Sequence, residues 1–366
     1  MCGIVAYLGN NNAYEIIIKG LQRLEYRGYD SAGVALHNEK NISVYKQKGK
    51  VKDLEDFVAR KDISGKLGIG HTRWATHGLP NNTNAHPHQS GNKKISLVHN
   101  GIIENYAVLK QELEKRGHKF LSETDTEVLV HLIEDVQQKG NLSLFEAVRV
   151  ALSEVIGAYA IVVIDKDNPQ QLIAARKSSP LVIGIGEGEY YLASDATPIV
   201  EYTKNVIYLD DDEIALIELK DGITLKTIGN EVKTPYIQEL EMHLEALEKG
   251  GYEHFMLKEI YEQPQSILDS MRGRINISKS IVGLGGIKKF EEKLINADRL
   301  IFVACGTSWH AGLVGEYLFE EIARIPVEVE YASEFRYRNP IINENDVVIA
   351  ISQSGETADT LAAIKL

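Results

Sequence analysis

Residues 2–8 read CGIVAYL, an apolar segment typical of a buried strand, and residues 13–24, AYEIIIKGLQRL, follow with apolar positions at helical spacing. Two further strand patterns flank a turn-like segment within residues 31–45. Other short strands are predicted at residues 66–73, 95–99, 159–165, 171–176, 181–185 and 190–194. Many short strands with helices between them predict a layered α+β domain, to which we assign residues 2–235.

The pattern changes after residue 296. Leu300–Ala304 is a continuous apolar strand, Pro326–Tyr331 and Val347–Ser352 are further strands, and helices are predicted between them. This alternation predicts an α/β domain with a doubly wound parallel sheet, which we assign to residues 289–366. Three strands and an unfinished helix are too few for a complete domain of this kind, so we expect the chain to be part of a longer protein.

The region between these domains has a mixed pattern. Residues 237–249, IQELEMHLEALEK, show charged helical spacing, and His254–Arg274 is again helical with Pro264 at a bend or helix start. Gly250 and Gly251 end the first helical pattern, and the glycines at positions 283, 285 and 286 mark a further loop. We therefore predict an interdomain linker with helices at residues 236–288.

Composition excludes several classes of protein. The chain has 366 residues, 44% of them hydrophobic, a net charge of −12 and two cysteines. The negative charge, without a basic face or arm, argues against a nucleic-acid partner. No apolar run reaches the roughly 18–20 residues of a membrane span, and two cysteines cannot build a disulfide framework. We expect a cytoplasmic protein with no membrane partner.

Cys2 is a candidate nucleophile because of its position. Removal of Met1 would leave Cys2 with a free α-amino group. That amine has an ordinary pKa of about 7.7–8.0, so it can act as the general base for the thiol of its own residue. A Cys-Gly pair after Met1 is weak evidence alone, since a cysteine is more often a small buried hydrophobe.

Four polar segments favour the interpretation of Cys2 as a nucleophile. They are HTRWATHG at residues 71–78, NAHPH at 84–88, VHNGIIEN at 98–105 and SETDTE at 122–127. Asn100-Gly101 after a strand is either a turn or a side-chain amide beside a backbone N–H, the pairing that an oxyanion hole needs. A helix is predicted from Thr124 to Val136, with Ser122 or Thr124 as its N-cap. The carboxylates at its start therefore either belong to a functional site or only stabilise the end of the helix.

These segments, together with CGIV at residues 2–5 and LEYRGYDSAG at residues 24–33, resemble the class II glutamine amidotransferase domain. That family consists of N-terminal-nucleophile (Ntn) hydrolases, and the resemblance implies a four-layer αββα sandwich. It also implies that Cys2 attacks the side-chain amide of L-glutamine and that Asn100 and Gly101 stabilise the oxyanion. The implied glutamine-binding residues are Arg73, Thr76, His77 and Asp125.

The resemblance implies supporting roles as well. Arg27 and His86 would support the nucleophile region, and Trp74 would gate the passage between two active sites, with core packing as its alternative. Five histidines, His71, His77, His86, His88 and His99, could suggest zinc. No cysteine and no helical His-x3-His pair accompanies them, so we predict neither a metal site nor a cofactor.

Two loops in the last domain carry a second signal. Residues 302–309, FVACGTSW, and 349–357, IAISQSGET, each end a strand with glycine and hydroxyl residues before a helix. Such loops cap the helix or bind a phosphate at its N-terminus. They resemble the sugar isomerase (SIS) domain. The resemblance implies that the phosphate and hydroxyl groups of a sugar phosphate contact Cys305, Gly306, Thr307, Ser308, Ser352, Gln353, Ser354 and Thr357.

Both domains together resemble the family that transfers the amide nitrogen of L-glutamine to fructose 6-phosphate and forms glucosamine 6-phosphate. The strings MLKEIYEQP at residues 256–264 and ASEFRYR at 332–338 belong to the same resemblance. We expect the parent enzyme to be a homo-oligomer, a dimer, and this chain to retain only the glutaminase half. Two alternatives stay open: a glutaminase that serves another acceptor, and a non-catalytic regulator that binds sugar phosphates.

Overall fold

The computed structural model describes residues 2–25, 28–38, 40–74, 78–240, 251–271, 274–276, 281–284, 287–353, 355 and 357–366. The chain divides into two units, residues 1–247 and 248–366. The finer boundaries at residues 235 and 288 stay a prediction. Among the described residues, no helix has both the length and the apolar content that crossing a membrane requires.

Two antiparallel sheets form the first unit. Its strands are β1 (Gly3–Leu8), β2 (Ser31–His37), β3 (Ile42–Lys48), β4 (Leu67–Arg73), β5 (His88–Gln89), β6 (Ile95–Ile103), β7 (Gly157–Asp165), β8 (Asn168–Lys177), β9 (Val182–Ile185), β10 (Tyr190–Ala193), β11 (Asn205–Tyr208), β12 (Glu213–Glu218), β13 (Gly222–Thr227), β14 (Val232–Lys233) and β15 (Gln238–Glu239). One sheet has the order β15-β11-β9-β10-β1-β4-β2-β3, and the other has the order β14-β13-β12-β8-β7-β6-β5.

Helices cover the outer face of each sheet. They are α1 (Ala13–Leu24), α2 (Val51–Val58), α3 (Tyr106–Lys115), α4 (Asp125–Gly140) and α5 (Leu144–Ser153). The side chains of β1 alternate between two cores. Val5 and Tyr7 pack with α1 and α2, whereas Ile4, Ala6 and Leu8 pack between the two sheets. A third core joins the other sheet to α3, α4 and α5.

This layering explains why residues 2–8 are apolar throughout. Both faces of β1 are buried, so its sequence does not alternate between apolar and polar residues as that of a half-exposed strand does. The αββα sandwich predicted from the resemblance is confirmed. The helix predicted at residues 13–24 is α1, and Thr124 is the N-cap of α4, with its side chain accepting a hydrogen bond from the backbone N–H of Glu127 at 3.3 Å.

One predicted element is wrong where the structure describes it. Gln238 and Glu239, assigned to a helix at residues 237–249, form β15 and pair with β11 at the edge of the larger sheet. Main-chain hydrogen bonds to an edge strand outweigh a weak helical preference, because propensity differences are only tenths of a kcal/mol, at most about 1, per residue. The rest of that prediction, residues 241–249, lies outside the described residues.

The second unit contains a parallel sheet. Its elements are α6 (Phe255–Met271), β16 (Ile275–Asn276), β17 (Ile281–Val282), α7 (Glu291–Ile295), β18 (Arg299–Ala304), α8 (Thr307–Leu318), β19 (Val327–Tyr331), α9 (Ala332–Tyr337), β20 (Asp346–Ile351) and α10 (Ala358–Ile364). Strand β18 lies between β19 and β20, and both pairings are parallel. Pro264 lies within α6.

Helices lie on both faces of this sheet. Ile301 and Val303 pack with Ala363 of α10 on one face. On the other face, Gly312 of α8 lies against Phe302, where an added Cβ would come within 3.4 Å of the Phe302 Cβ. The predicted doubly wound arrangement is therefore confirmed.

We predict that Gly33→Ala destabilises the first unit by about 1–3 kcal/mol, the usual cost of overpacking. A Cβ at Gly33 of β2 would lie 2.1 Å from the backbone oxygen of His86, and backbone cannot rotate away as a side chain can. The free energy of urea-induced unfolding measures the effect. The control is Gly229→Ala, at an exposed turn where the nearest atom would be 3.5 Å away. Equal stability of the two variants would contradict the packing argument.

Candidate active site

The position of Cys2 follows from the pairing of β1 with β4. Gly3 is opposite Thr72, so Cys2 lies beside the end of β4. The backbone N–H of Trp74 donates a hydrogen bond to Cys2 Sγ at 3.2 Å. Burial raises the pKa of the Cys2 thiol above its ordinary value, and the hydrogen bond to Trp74 opposes that shift only in part. The thiol is therefore protonated at neutral pH and needs a nearby base to become a nucleophile.

Asn100 reaches Cys2 from the opposite sheet. Its Nδ2 donates a hydrogen bond to the backbone oxygen of Cys2 at 3.0 Å. The next residue, Gly101, has a φ of +131°, and a Cβ there would lie 2.0 Å from the Ala158 backbone oxygen. Only glycine fits this position of β6. The structure thus brings together the predicted nucleophile and the first of the two predicted oxyanion residues.

His71 determines which way the Asn100 amide points. Its Nε2 lies 3.0 Å from both Asn100 Oδ1 and the His99 backbone oxygen. Both are acceptors, so His71 Nε2 carries the proton and donates it. With the oxygen of Asn100 held by His71, its NH2 group faces Cys2. Burial lowers the pKa of His71 to about 3, so the ring is neutral.

Three more buried histidines surround this pair. His86 stacks on His71 with ring centroids 4.1 Å apart. His88 Nε2 lies 3.1 Å from Thr124 Oγ1, and His99 Nδ1 lies 2.9 Å from Thr126 Oγ1. Burial lowers the pKa of His86 and of His88 well below the ordinary value. These three rings form hydrogen bonds and stacking contacts in a packed wall behind the Cys2 region.

Two charged residues of the predicted glutamine site are also buried. Arg73, at the end of β4, donates from Nη2 to the Gly78 backbone oxygen at 3.4 Å, and its Nη1 lies 4.0 Å from Asp30 Oδ1. Asp125 is the first residue of α4, and its Oδ2 accepts the backbone N–H of Ile103 at 2.9 Å. A buried guanidinium and a buried carboxylate can bind the carboxylate and ammonium groups of an amino acid.

The structure does not place every predicted residue at this site. Arg27, Thr76, His77 and Ser354 lie outside the described residues. Trp74 is 49% exposed and makes an edge-on contact with Tyr29 at 5.4 Å between ring centroids. Its side chain is therefore not part of the core, and its gating role stays a prediction.

Sequence reasoning missed three contributors to this site. It did not single out Asp30, whose carboxylate lies beside Arg73, or His71 as the residue that orients Asn100. It also missed the reciprocal pair of Asn84 and Glu123. Asn84 donates to Glu123 Oε2 at 2.9 Å and accepts the Glu123 backbone N–H at 3.0 Å. His71 lies within β4 and Asp30 directly before β2, whereas Asn84 and Glu123 lie in loops, and the partners of all four are distant in sequence.

The two loops of the second unit meet at one edge of its sheet, because β18 and β20 are parallel neighbours. Gly306 has a φ of +59° immediately before α8. Ser352 Oγ accepts the backbone N–H of Gly355 at 3.0 Å and lies 3.5 Å from Thr357 Oγ1. Thr360 of α10 directs its hydroxyl to Cys305 Sγ at 4.0 Å.

The remaining predicted residues follow the same strand ends. Thr307 and Ser308 are the first residues of α8, and Gln353 follows Ser352 after β20. The loop residues that the structure describes are therefore grouped at the carboxyl ends of neighbouring strands.

Comparison with known proteins agrees with this arrangement. Residues 46–228, half of the chain, match the glutamine amidotransferase domain family. The chain belongs to the glutamine amidotransferase family. Residues 293–366 match the SIS domain.

Curated relatives of this amidotransferase carry one name. The chain is 62% identical to a glutamine–fructose-6-phosphate aminotransferase (isomerizing) from Bacteroides thetaiotaomicron. The matched region covers 100% of this chain and 60% of that relative. A protein of the same name from Chlorobaculum tepidum is 55% identical, with the same coverage. The chain thus spans about 60% of the length of these relatives.

Solved structures support the amidotransferase fold. Glutamine phosphoribosylpyrophosphate amidotransferase from B. subtilis matches with a TM-score of 0.57 and 22% identity over 96% of this chain and 69% of that chain. An allosteric regulatory enzyme of purine biosynthesis matches with a TM-score of 0.54 and 24% identity over the same shares. These likenesses establish the fold and nothing about the acceptor.

We predict that the stability of the amidotransferase unit falls as the pH drops from about 6 to about 5. His71, His86 and His88 have folded pKa values below the unfolded value of about 6.5, so these three rings bind protons in this range only in the unfolded chain. Each histidine contributes up to about 1.4 kcal/mol per pH unit. Urea unfolding at stepped pH measures the slope.

His86→Phe should reduce this slope by about one third, because one of three equivalent histidines is removed. The control, His254→Gln at an exposed histidine of the second unit, should leave it unchanged. A free energy of unfolding that does not depend on pH across this range would refute the assignment of neutral buried rings.

Proposed function

We propose that this chain hydrolyses L-glutamine through Cys2. The observation that carries the proposal is the hydrogen bond from Asn100 to the Cys2 backbone oxygen, which brings an amide donor from one sheet to the nucleophile on the other. A partly buried thiol beside an oriented amide donor suits acyl transfer, and the N–H of Gly101, the residue after Asn100, would supply the second oxyanion donor. This proposal includes the catalytic roles of Cys2, Asn100 and Gly101.

The reaction begins with a proton transfer. Removal of Met1 converts the Cys2 nitrogen to an α-amine, which takes the proton of the thiol. The thiolate attacks the side-chain amide carbon of glutamine, and the carbonyl oxygen gains negative charge that Asn100 Nδ2 and the Gly101 N–H stabilise. The amine returns its proton to the leaving nitrogen, ammonia departs, and a γ-glutamyl thioester remains. Water then attacks the thioester, which releases glutamate and regenerates the thiol.

Charged residues near Cys2 would select glutamine. Arg73 would bind the α-carboxylate, because its guanidinium can form two parallel hydrogen bonds. Asp125 would bind the α-ammonium group, and Thr76 and His77 would complete the pocket. Asp30 and His86 would act through their neighbours, by holding Arg73 and His71 in place. Arg27 would support the nucleophile region, and the half-exposed Trp74 would gate the site.

The second unit suggests the acceptor. We infer that the whole protein transfers the ammonia to fructose 6-phosphate and makes glucosamine 6-phosphate, as the names of its relatives indicate. The phosphate would bind at the loops after β18 and β20, which carry hydroxyl side chains and lead into α8 and α10. We further propose a glutaminase domain at residues 2–235, a linker at 236–288, a SIS domain from 289, a cytoplasmic location and a homodimeric parent enzyme.

A glutaminase assay on the purified chain tests the first proposal. Cys2→Ala should abolish glutamine hydrolysis, and Asn100→Ala should lower kcat by about 100–1,000-fold, the usual cost of one oxyanion donor. The matched control is Asn41→Ala, an exposed residue between β2 and β3, at the far end of β2 from Arg73. Mass spectrometry of the N-terminus accompanies the assay. Full activity in Cys2→Ala, or in a protein that retains Met1, would disprove the mechanism.

Calorimetry with fructose 6-phosphate tests the second proposal separately. We expect saturable binding that Thr357→Val weakens by about 10–100-fold, because a hydrogen bond to a charged group contributes about 1.5–3 kcal/mol. Thr224→Val, at an exposed position of β13, is the control. Binding that is equally strong in Thr357→Val would show that the sugar phosphate does not use these loops. Neither result depends on glutamine hydrolysis.

A further inference from the structure

A cluster of ionisable side chains lies on α4, beyond the residues used in the proposed reaction. His131 and Glu134 are three residues apart and therefore share one face of the helix. His118, from the segment after α3, approaches the same face. His131 and Glu134 are buried, and His118 is partly buried.

Three potential ligand atoms converge in this cluster. His118 Nδ1 and His131 Nδ1 are 3.2 Å apart, and Glu134 Oε2 lies 3.6 Å from the first and 3.5 Å from the second. Bonds of about 2.0–2.2 Å to a tetrahedral zinc ion place ligand atoms about 3.3–3.6 Å from each other. The observed triangle matches one face of that tetrahedron within about 0.1 Å.

The outer nitrogens of both rings face carboxylates. His118 Nε2 lies 3.4 Å from Asp135 Oδ1, and His131 Nε2 lies 3.8 Å from Glu127 Oε1. A histidine that binds a metal through one nitrogen usually directs its other N–H to a carboxylate, which fixes the tautomer. The Asp135 carboxylate lies within hydrogen-bond distance of His118 and favours a proton on its Nε2, while the more distant Glu127 carboxylate favours the same tautomer of His131 through its charge. In this tautomer the lone pair of each Nδ1 is directed into the cluster.

Hydrogen bonds also fix the orientation of the Glu134 carboxylate. Its Oε2 accepts the backbone N–H of Gly91 at 3.0 Å, and its Oε1 accepts that of Asn92 at 2.9 Å. Two nitrogen lone pairs and a carboxylate oxygen then meet within 3.6 Å of each other. Such electron-pair donors repel each other unless a cation lies between them. A proton can play this part, and so can a metal ion.

The cluster is accessible from solvent. His118 and His131 are among the residues that line a cavity of about 800 Å³, together with Gly91 and Glu127. A metal site needs such an entry path in addition to suitable ligands. The ligand set of two imidazoles and one carboxylate suits zinc and leaves one coordination position for water or an anion.

We propose that His118, His131 and Glu134 form a binding site for Zn²⁺. The sequence does not predict this site, because His118 lies far from His131 and Glu134 in the chain and no His-x3-His spacing is present. A bound ion would join the segment at residue 118 to α4, the helix that begins with Asp125. The proposal does not depend on glutamine hydrolysis.

Calorimetric titration of the whole chain with Zn²⁺ tests the site. Cys2→Ala serves as the background, because an N-terminal cysteine can itself bind zinc through its thiolate. We expect one saturable site per chain. His118→Gln and Glu134→Gln should each weaken the affinity for Zn²⁺ at least about tenfold. The Co²⁺-loaded protein should show the absorption bands of tetrahedral coordination, which a proton-bridged cluster cannot produce.

Two further variants separate the site from its alternatives. Asp135 contacts His118 from outside the cluster, so Asp135→Asn should weaken the affinity for Zn²⁺ by about 10–100-fold. Because this variant keeps all three ligands, the test does not depend on the folding of the ligand variants. His254→Gln is the matched control, because His254 lies 3.7 Å from Glu253 in an exposed pair and should bind no zinc tightly. The absence of saturable binding, or an affinity unchanged in both His118→Gln and Asp135→Asn, would overturn the proposal.

Discussion

The hydrogen bond between Asn100 and the Cys2 backbone oxygen is the contact on which the candidate active site depends. It joins the start of β1 in one sheet to β6 in the other. A single hydrogen bond contributes only about 0.5–1.5 kcal/mol to stability, so it cannot hold the sheets together. The apolar core between the sheets, which includes Ile4 and Val98, does that. The hydrogen bond instead selects one orientation of a polar group within a structure that packing has already placed.

Burial of polar groups is the cost of this arrangement. His71, His86, His88 and Arg73 are all buried behind or beside Cys2. An unsatisfied buried polar group costs about 1–3 kcal/mol, which explains why the rings bond or stack with one another and with the hydroxyls of α4. Neutral imidazoles reduce the cost further, because a buried charge needs a partner. The same network that positions Asn100 therefore makes the unit sensitive to acid.

The two units solve the problem of ligand binding differently. In the first unit, polar residues come from the ends of strands in two facing antiparallel sheets, so the site exists only when both sheets are packed. In the second unit, two loops come from neighbouring parallel strands of one sheet, and strand direction alone brings them together. The cluster on α4 is built in a third way. Two of its residues are at helical spacing, and the third, His118, is placed by the chain between α3 and α4.

Local patterns in the sequence were sufficient for several features. Apolar spacing located α1, the apolar run located β1, and the two candidate capping residues, Ser122 and Thr124, located the approximate start of α4, because each depends on residues close together in the chain. The motifs around Cys2, Asn100 and the loops after β18 and β20 indicated the family for the same reason. Contacts between distant residues required the tertiary structure. It placed Gln238–Glu239 in an edge strand, directed the Asn100 amide through His71, and brought His118 to His131 and Glu134, since packing of the sheets and helices determines which distant side chains meet.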